Sequence, residues 1–135
     1  MSSVNTNFKI LVVDDSKMMQ TNITEFLKAE GFDDIDCADD GDMGITFYER
    51  AEFRNEPYDL IILDVQMPKM TGLEVLKLIR KKDLRTKIMM LTTQADVPTV
   101  NTAIKEGANG YLLKPFDHDE LMSRVYKHIA NKQLF

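Results

Sequence analysis

The sequence predicts an α/β fold: five strands alternating with five helices in one doubly wound parallel sheet, with strand order 2-1-3-4-5. Three observations predict it. Leu60-Ile61-Ile62-Leu63 is an unbroken apolar run, the mark of a strand covered on both faces, and it ends abruptly in Asp64. Phe8-Lys9-Ile10-Leu11-Val12-Val13 repeats the pattern and ends in Asp14-Asp15. Between and beyond these runs, apolar residues recur at helical spacing, bounded by capping residues and glycines.

The chain has 135 residues, enough for one domain with an ordinary core, and it is 44% hydrophobic and 29% charged, as globular proteins are. Residues 1–7 are polar, lack the regions of a signal peptide and read as a flexible lead-in. No apolar run approaches the roughly 18 to 20 residues that span a bilayer, so no membrane role is expected. The net charge of -5 argues against sequence-independent nucleic-acid binding, which needs clustered Lys and Arg. Cys37 is the only cysteine, so no internal disulfide can form and a reducing cytoplasm is the expected location. Its short apolar-alternating segment makes it a buried small hydrophobe.

In chain order, Ser16 is an N-cap and residues 16–30 place Met19, Ile23, Phe26 and Leu27 on one stripe, with Gly31 as the stop. Residues 33–38 form a short acidic strand, as suits a sheet edge. Asp39 or Asp40 caps a second helix over 42–54, with Met43, Phe47, Ala51 and Phe53 near one side and Glu49, Arg50, Glu52 and Arg54 as a solvated face. After the third strand, Met67-Pro68-Lys69-Met70 breaks regular structure and Thr71-Gly72-Leu73-Glu74 reads as a capping box. Residues 73–82 then carry Leu73, Leu76 and Ile79 inside, with Lys77, Arg80, Lys81 and Lys82 outside, complementing the helix dipole.

Residues 87–91 are a fourth strand ending at Thr92-Thr93. Asp96 and Pro98 open a helix that runs through Glu106, and Gly107 and Gly110 frame the passage into the fifth strand, Tyr111-Leu112-Leu113, which ends in Lys114-Pro115. Asp117 and Glu120 have capping-box spacing, before a last helix carrying Leu121, Val125 and Ile129. His118 and His128 have no ligand-spaced partner and read as surface or helix-end residues.

Asp14, Asp15, Asp64, Thr92 and Lys114 thus all lie at strand C-terminal ends, which share one edge of a parallel sheet. Each alone is an ordinary cap or surface group. Three crowded carboxylates, however, repel each other unless a cation sits among them. Oxygen ligands with open coordination suit Mg2+, and a metal beside a carboxylate, with a lysine and a hydroxyl opposite, suits a phosphoryl group. The carboxylate of Asp64 is then a nucleophile able to form an aspartyl-phosphate.

Val13-Asp14-Asp15-Ser16, Leu63-Asp64-Val65-Gln66-Met67-Pro68 with Thr71-Gly72, Leu91-Thr92, and Gly107-Ala108 leading through Tyr111 to Lys114-Pro115-Phe116 together resemble the receiver domain of the two-component response regulators. The resemblance covers residues 8–130, and these motifs are highly specific in combination. It implies a flavodoxin-like fold, and a signalling phosphoacceptor rather than an enzyme, with its own phosphotransfer and autodephosphorylation chemistry. By the same resemblance, Asp64 takes its phosphoryl group from a histidine kinase or histidine phosphotransfer protein. Asp15, Asp64 and the Gln66 carbonyl bind Mg2+ directly and Asp14 does so through water. Lys114 pairs with the phosphoryl, Thr92 moves to hydrogen-bond it, and Tyr111 turns inward after Thr92. The Lys114-Pro115 bond is cis, and a downstream protein docks on helix 98–106, strand 111–113 and helix 118–130.

The expected domain is residues 8–131, with 132–135 as a tail, in a monomer or a weak dimer formed on phosphorylation. Three features depart from the family pattern. Thr93 stands where a small residue is common, so narrower access to Asp64 and slower phosphoryl turnover than in Thr93→Ala are expected. The segment between Gly41 and Pro57 is about one helical turn longer than usual, so a longer second helix is expected. Gln66 and Gln94, which flank the acceptor, are uncharged.

Two receiver readings fit: a single-domain protein of the chemotaxis or relay kind, and the receiver of a longer transcription factor, hybrid kinase or output enzyme. An aspartate-dependent Mg2+ phosphatase expects a second Asp where Gln66 stands, and a flavin module expects Gly, Ser and Thr where Asp14 and Asp15 stand. A receiver-like scaffold that binds its partner without phosphorylation has no need of the whole strand-end set.

Overall fold

A computed structural model describes residues 8–93 and 97–133. The expected lead-in at 1–7, the helix start at Asp96, Gln94 and the chain end at 134–135 lie outside the described residues. The elements run β1 (Ile10–Val13), α1 (Lys17–Ala29), β2 (Ile35–Ala38), α2 (Gly41–Phe53), β3 (Leu60–Asp64), α3 (Gly72–Arg80), β4 (Lys87–Thr92), α4 (Val97–Lys105), β5 (Gly110–Leu113) and α5 (His118–Gln133). All neighbouring strands are parallel, in the order β2-β1-β3-β4-β5.

Successive strand residues face opposite sides of the sheet, so each buried strand supplies two cores. Leu11, Val13, Ile61, Leu63, Ile88 and Met90 meet α2 and α3 through Tyr48, Ala51, Val75, Leu76 and Ile79. Ile10, Val12, Leu60, Ile62, Met89 and Leu91 meet α1 and α5 through Ile23, Leu27, Leu121, Val125 and Ile129. The chain returns in opposite directions from β1, to β2 on one side and β3 on the other. The crevice at that reversal lies between the tips bearing Asp14 and Asp64.

The expected caps are present. Ser16 Oγ accepts from Met19 N at 3.2 Å, Asp40 rather than Asp39 caps α2, and Thr71 with Glu74 forms the full capping box of α3. Asp117 and Glu120 bond reciprocally at the start of α5. Gly31 ends α1 at φ 98° and Lys114-Pro115 is cis.

Several expectations change. Phe53 is 91% exposed, and Tyr48 takes the inward place because its hydroxyl donates to Asp83 Oδ2 at 2.7 Å while its ring packs under the sheet. Arg80 is not a solvated end charge: its guanidinium donates to the carbonyls of Gly107, Asp83 and Thr86 and to Asn109 Oδ1, at 2.8–3.0 Å. Cys37 is half-buried, 3.6 Å from Thr24 Oγ1. His128 is half-buried as well, and burial, followed by the charges of Lys87 and Lys127, lowers its pKa. His118 is a helix-end residue as read, held 3.1 Å from Glu30 Oε2. α5 reaches Gln133, so the first two residues assigned to a tail continue the helix.

Candidate functional site

The strand tips bring the acids together. Carboxylate oxygens of Asp14, Asp15 and Asp64 lie within 4.8 Å of one another, with Asp14 and Asp64 buried and Asp15 exposed. β1 and β3 are paired in register from Ile10 with Leu60 to Val13 with Leu63, so Asp14 and Asp64 follow the last pair side by side.

The β3–α3 loop then folds back on Asp64. Lys69 adopts φ 69°, Met70 N donates to Pro68 O at 2.8 Å, and Gly72 N donates to Val65 O at 3.0 Å. A methyl group on Gly72 would overlap the Asp64 main-chain carbonyl, so only glycine lets the start of α3 lie against the end of β3. A small residue at this junction is a condition for the position of Asp64.

Lys114, on the segment after β5, reaches across β4 and β3. Its Nζ lies 2.9 Å from Asp14 Oδ2 and 3.3 Å from Asp64 Oδ1. Burial pulls its pKa down, but the hydrogen bond to Asp14 and the charge of Asp64 outweigh that pull, so the ammonium stays charged. Burial, and then the charge of Asp14, push Asp64 up to about 6 against the pull of Lys114. One ammonium does not neutralise three carboxylates, and the site favours a further cation.

The hydrogen bonds divide the acids by role. Asp14 is engaged at both oxygens, Oδ1 by Ser16 N at 2.9 Å and Oδ2 by Lys114. Asp64 Oδ1 accepts from Gln66 N at 3.2 Å and pairs with Lys114, whereas Oδ2 accepts no hydrogen bond among the described residues. Asp15 is likewise without a hydrogen bond there, and it faces solvent. Two oxygen donors with open lone pairs and a third acid held close by fit a hard divalent cation such as Mg2+.

Thr92 is 2% exposed at the end of β4, one residue past Leu91, the register partner of Asp64. Tyr111 on β5 is half-buried, with the Arg124 guanidinium 6.0 Å over its ring. Thr93 is exposed and is joined to the loop after Asp64 through Gln66, whose amide bonds both Thr92 and Thr93.

Gln20 had no role assigned from sequence. It is 6% exposed, and its Nε2 donates to Asp14 O at 2.7 Å and Asp39 Oδ1 at 2.9 Å. It thereby ties the ends of β1 and β2 beneath the acids. Its spacing of three and seven residues to Ile23 and Leu27 placed it on the inward face of α1, which was the available signal.

Residues 10–126 match the family model of the response regulator receiver domain. The transcriptional regulatory protein DltR of Streptococcus agalactiae is 36% identical over 117 residues, which are 87% of this chain and 50% of that protein. The chemotaxis protein CheY of Treponema pallidum is 31% identical over 118 residues, 87% of this chain and 80% of that one. Among solved structures, the CheX-CheY-BeF3-Mg2+ complex from Borrelia burgdorferi superimposes with a TM-score of 0.83 at 30% identity, over 89% of this chain and 87% of that chain. The chain spans about half the length of the first curated relatives it matches.

Proposed function

The chain belongs to the family of response regulator receiver domains of two-component systems, and we propose that Asp64 is its phosphoacceptor, charged by a histidine kinase or a histidine phosphotransfer protein. The observation that carries this is the asymmetry of Asp64: Oδ1 is held by Gln66 N and Lys114, while Oδ2 accepts no hydrogen bond among the described residues.

In the transfer, the P–N bond of a phosphohistidine breaks as a P–O bond to Asp64 forms, and the departing imidazole takes up a proton. Lys114 is already aimed at the Asp64 carboxylate and faces the charge that the phosphoryl group brings. Thr92, at the neighbouring tip, supplies a hydroxyl donor. Mg2+ held by Asp15, Asp64 and the Gln66 carbonyl, with Asp14 acting through water, would supply positive charge that neutralises the phosphoryl oxygens. Attack of water on the acyl phosphate breaks the bond to Asp64 and releases inorganic phosphate, so the signal is self-limiting and the domain dephosphorylates itself.

The signal is a shift between two conformations, with Thr92 and Tyr111 drawn toward the phosphorylated acid. The output face is α4, β5 and α5. Val97 at 69%, Ile104 at 58% and Leu113 at 42% exposure give it the apolar surface that a protein partner needs. The domain, residues 8–131, acts in the cytoplasm as a monomer or weak phosphorylation-dependent dimer and itself binds no nucleic acid. Among the described residues no helix is long and apolar enough to cross a membrane.

A second reading, the receiver of a longer regulator, is favoured by the half-length coverage of DltR and of the cell cycle regulator CtrA. Incubation with a radiolabelled phosphohistidine phosphotransfer protein tests the main reading. Label should pass to the wild type and not to Asp64→Asn, and equal labelling of the two would refute Asp64 as acceptor.

A further inference from the structure

Gln66 lies two residues past Asp64, and its side chain crosses from the β3–α3 loop to the end of β4. Its Nε2 donates to Thr92 Oγ1 at 3.1 Å, and its Oε1 accepts from Thr93 N and Thr93 Oγ1, each at 3.4 Å. The sense of this amide is fixed by its partners. A main-chain N–H can only donate, so the amide oxygen must face Thr93 and the NH2 must face Thr92.

The polarity at Thr92 follows. Its oxygen accepts from Gln66, and a hydroxyl has a single proton, so that proton is directed to an acceptor other than Gln66. At 2% exposure the side chain has almost no access to bulk water. Its oxygen is therefore tethered to the loop that follows Asp64, with its proton turned away from Gln66.

We propose that Gln66 is a positioning residue for Thr92: its amide holds Thr92 Oγ1 beside the acceptor loop in the sense that lets the hydroxyl donate to a phosphoryl anion on Asp64. This rests on Asp64 being the acceptor and Thr92 its hydroxyl partner. Gln66→Leu keeps much of the bulk and removes the donor. Gln66→Glu places an acceptor where the donor stood, so it draws the Thr92 proton to itself and reverses the polarity.

The test is a double-mutant cycle on the affinity for beryllofluoride, a phosphoryl mimic, with saturating Mg2+, followed by 19F and amide NMR. Thermal melts confirm that each variant is folded. Gln66→Leu should weaken binding by about threefold to tenfold, the range one neutral hydrogen bond gives. In a Thr92→Val background the same change should alter affinity by no more than about twofold, since the tethered oxygen is gone. Gln66→Glu should weaken binding further in the Thr92 protein than its bare charge does in the Thr92→Val protein. Equal losses in both backgrounds would mean that Gln66 acts on the anion or the loop without Thr92, and the proposal fails; no loss in the Thr92 protein also overturns it. A wild type that does not bind beryllofluoride at all overturns the phosphoacceptor reading itself, and this inference with it.

Discussion

Lys114 Nζ and Asp14 Oδ2 are joined at 2.9 Å although 100 residues separate them, and the Asp14 side chain is wholly shielded from solvent. This pair ties the end of β5 to the end of β1 across the two strands between them. It also holds the ammonium against Asp64.

Removing one partner of a buried pair leaves the other charge uncompensated, at a cost of about 3–5 kcal/mol. Lys114→Met should therefore lower the urea midpoint markedly in chelator. Mg2+ should raise the midpoint of the variant more than that of the wild type, because it replaces the missing positive charge. An equal Mg2+ effect in both proteins would show that Lys114 and the metal do not serve the same carboxylates.

Asp64 is held ionised at neutral pH in a place that pushes its pKa up to about 6, so its charge costs stability. Asp64→Asn should make the unliganded domain more stable by about 1–2 kcal/mol at pH 7, a gain common where an active-site charge is removed. Thermal melts in chelator read this directly, and a lower melting temperature would contradict it.

Gln20→Leu leaves the Asp14 carbonyl and Asp39 without their buried amide partner. A loss of about 1–3 kcal/mol is expected from the unsatisfied carbonyl. Because Asp14 and Asp15 are carried on that main chain, Mg2+ affinity by calorimetry should also fall. Full Mg2+ affinity with reduced stability would make Gln20 structural alone.

The pH dependence has a separate source at the far end of the sheet. Burial alone would raise the pKa of Asp83, but the side chains of Thr86 and Tyr48 and the main-chain amides of Thr86 and Arg85 hydrogen-bond it and bring it to about 2. A lowered carboxylate pKa stabilises the fold above the unfolded value of about 3.9 and stops doing so as pH falls through about 2. Asp83→Asn should thus be less stable than the wild type at pH 7, with the gap closing between about pH 4 and pH 2. A gap that stays constant in acid would show that the carboxylate charge is not what Asp83 contributes.

Much of this was legible in the sequence because the site is made by strand ends. Leu60 to Leu63 announces a strand by composition alone, the following Asp64 lies at its tip, and the same logic locates Asp14, Thr92 and Lys114. The Thr71 and Glu74 box is local chemistry, so its spacing sufficed. The links between distant segments were not legible. Gln20 meets Asp39, Gln66 meets Thr92, and Arg80 meets Gly107 only after the fold brings them together. A lone amide or guanidinium carries no periodic signal of such a partner. Phe53 was misplaced because periodicity weighs it as apolar, whereas Tyr48 combines an apolar ring with a hydroxyl that finds Asp83.

Everything proposed for the crevice depends on Asp64 accepting a phosphoryl group in a cation-dependent reaction. Treatment of the wild type and Asp64→Asn with acetyl phosphate, read by intact mass with Mg2+ and with chelator, tests it most directly. One added phosphate on the wild type with Mg2+, lost in chelator and absent from Asp64→Asn, is the predicted result. Undiminished labelling of Asp64→Asn, or a folded, Mg2+-loaded wild type that takes label neither from acetyl phosphate nor from a phosphohistidine donor, would contradict it.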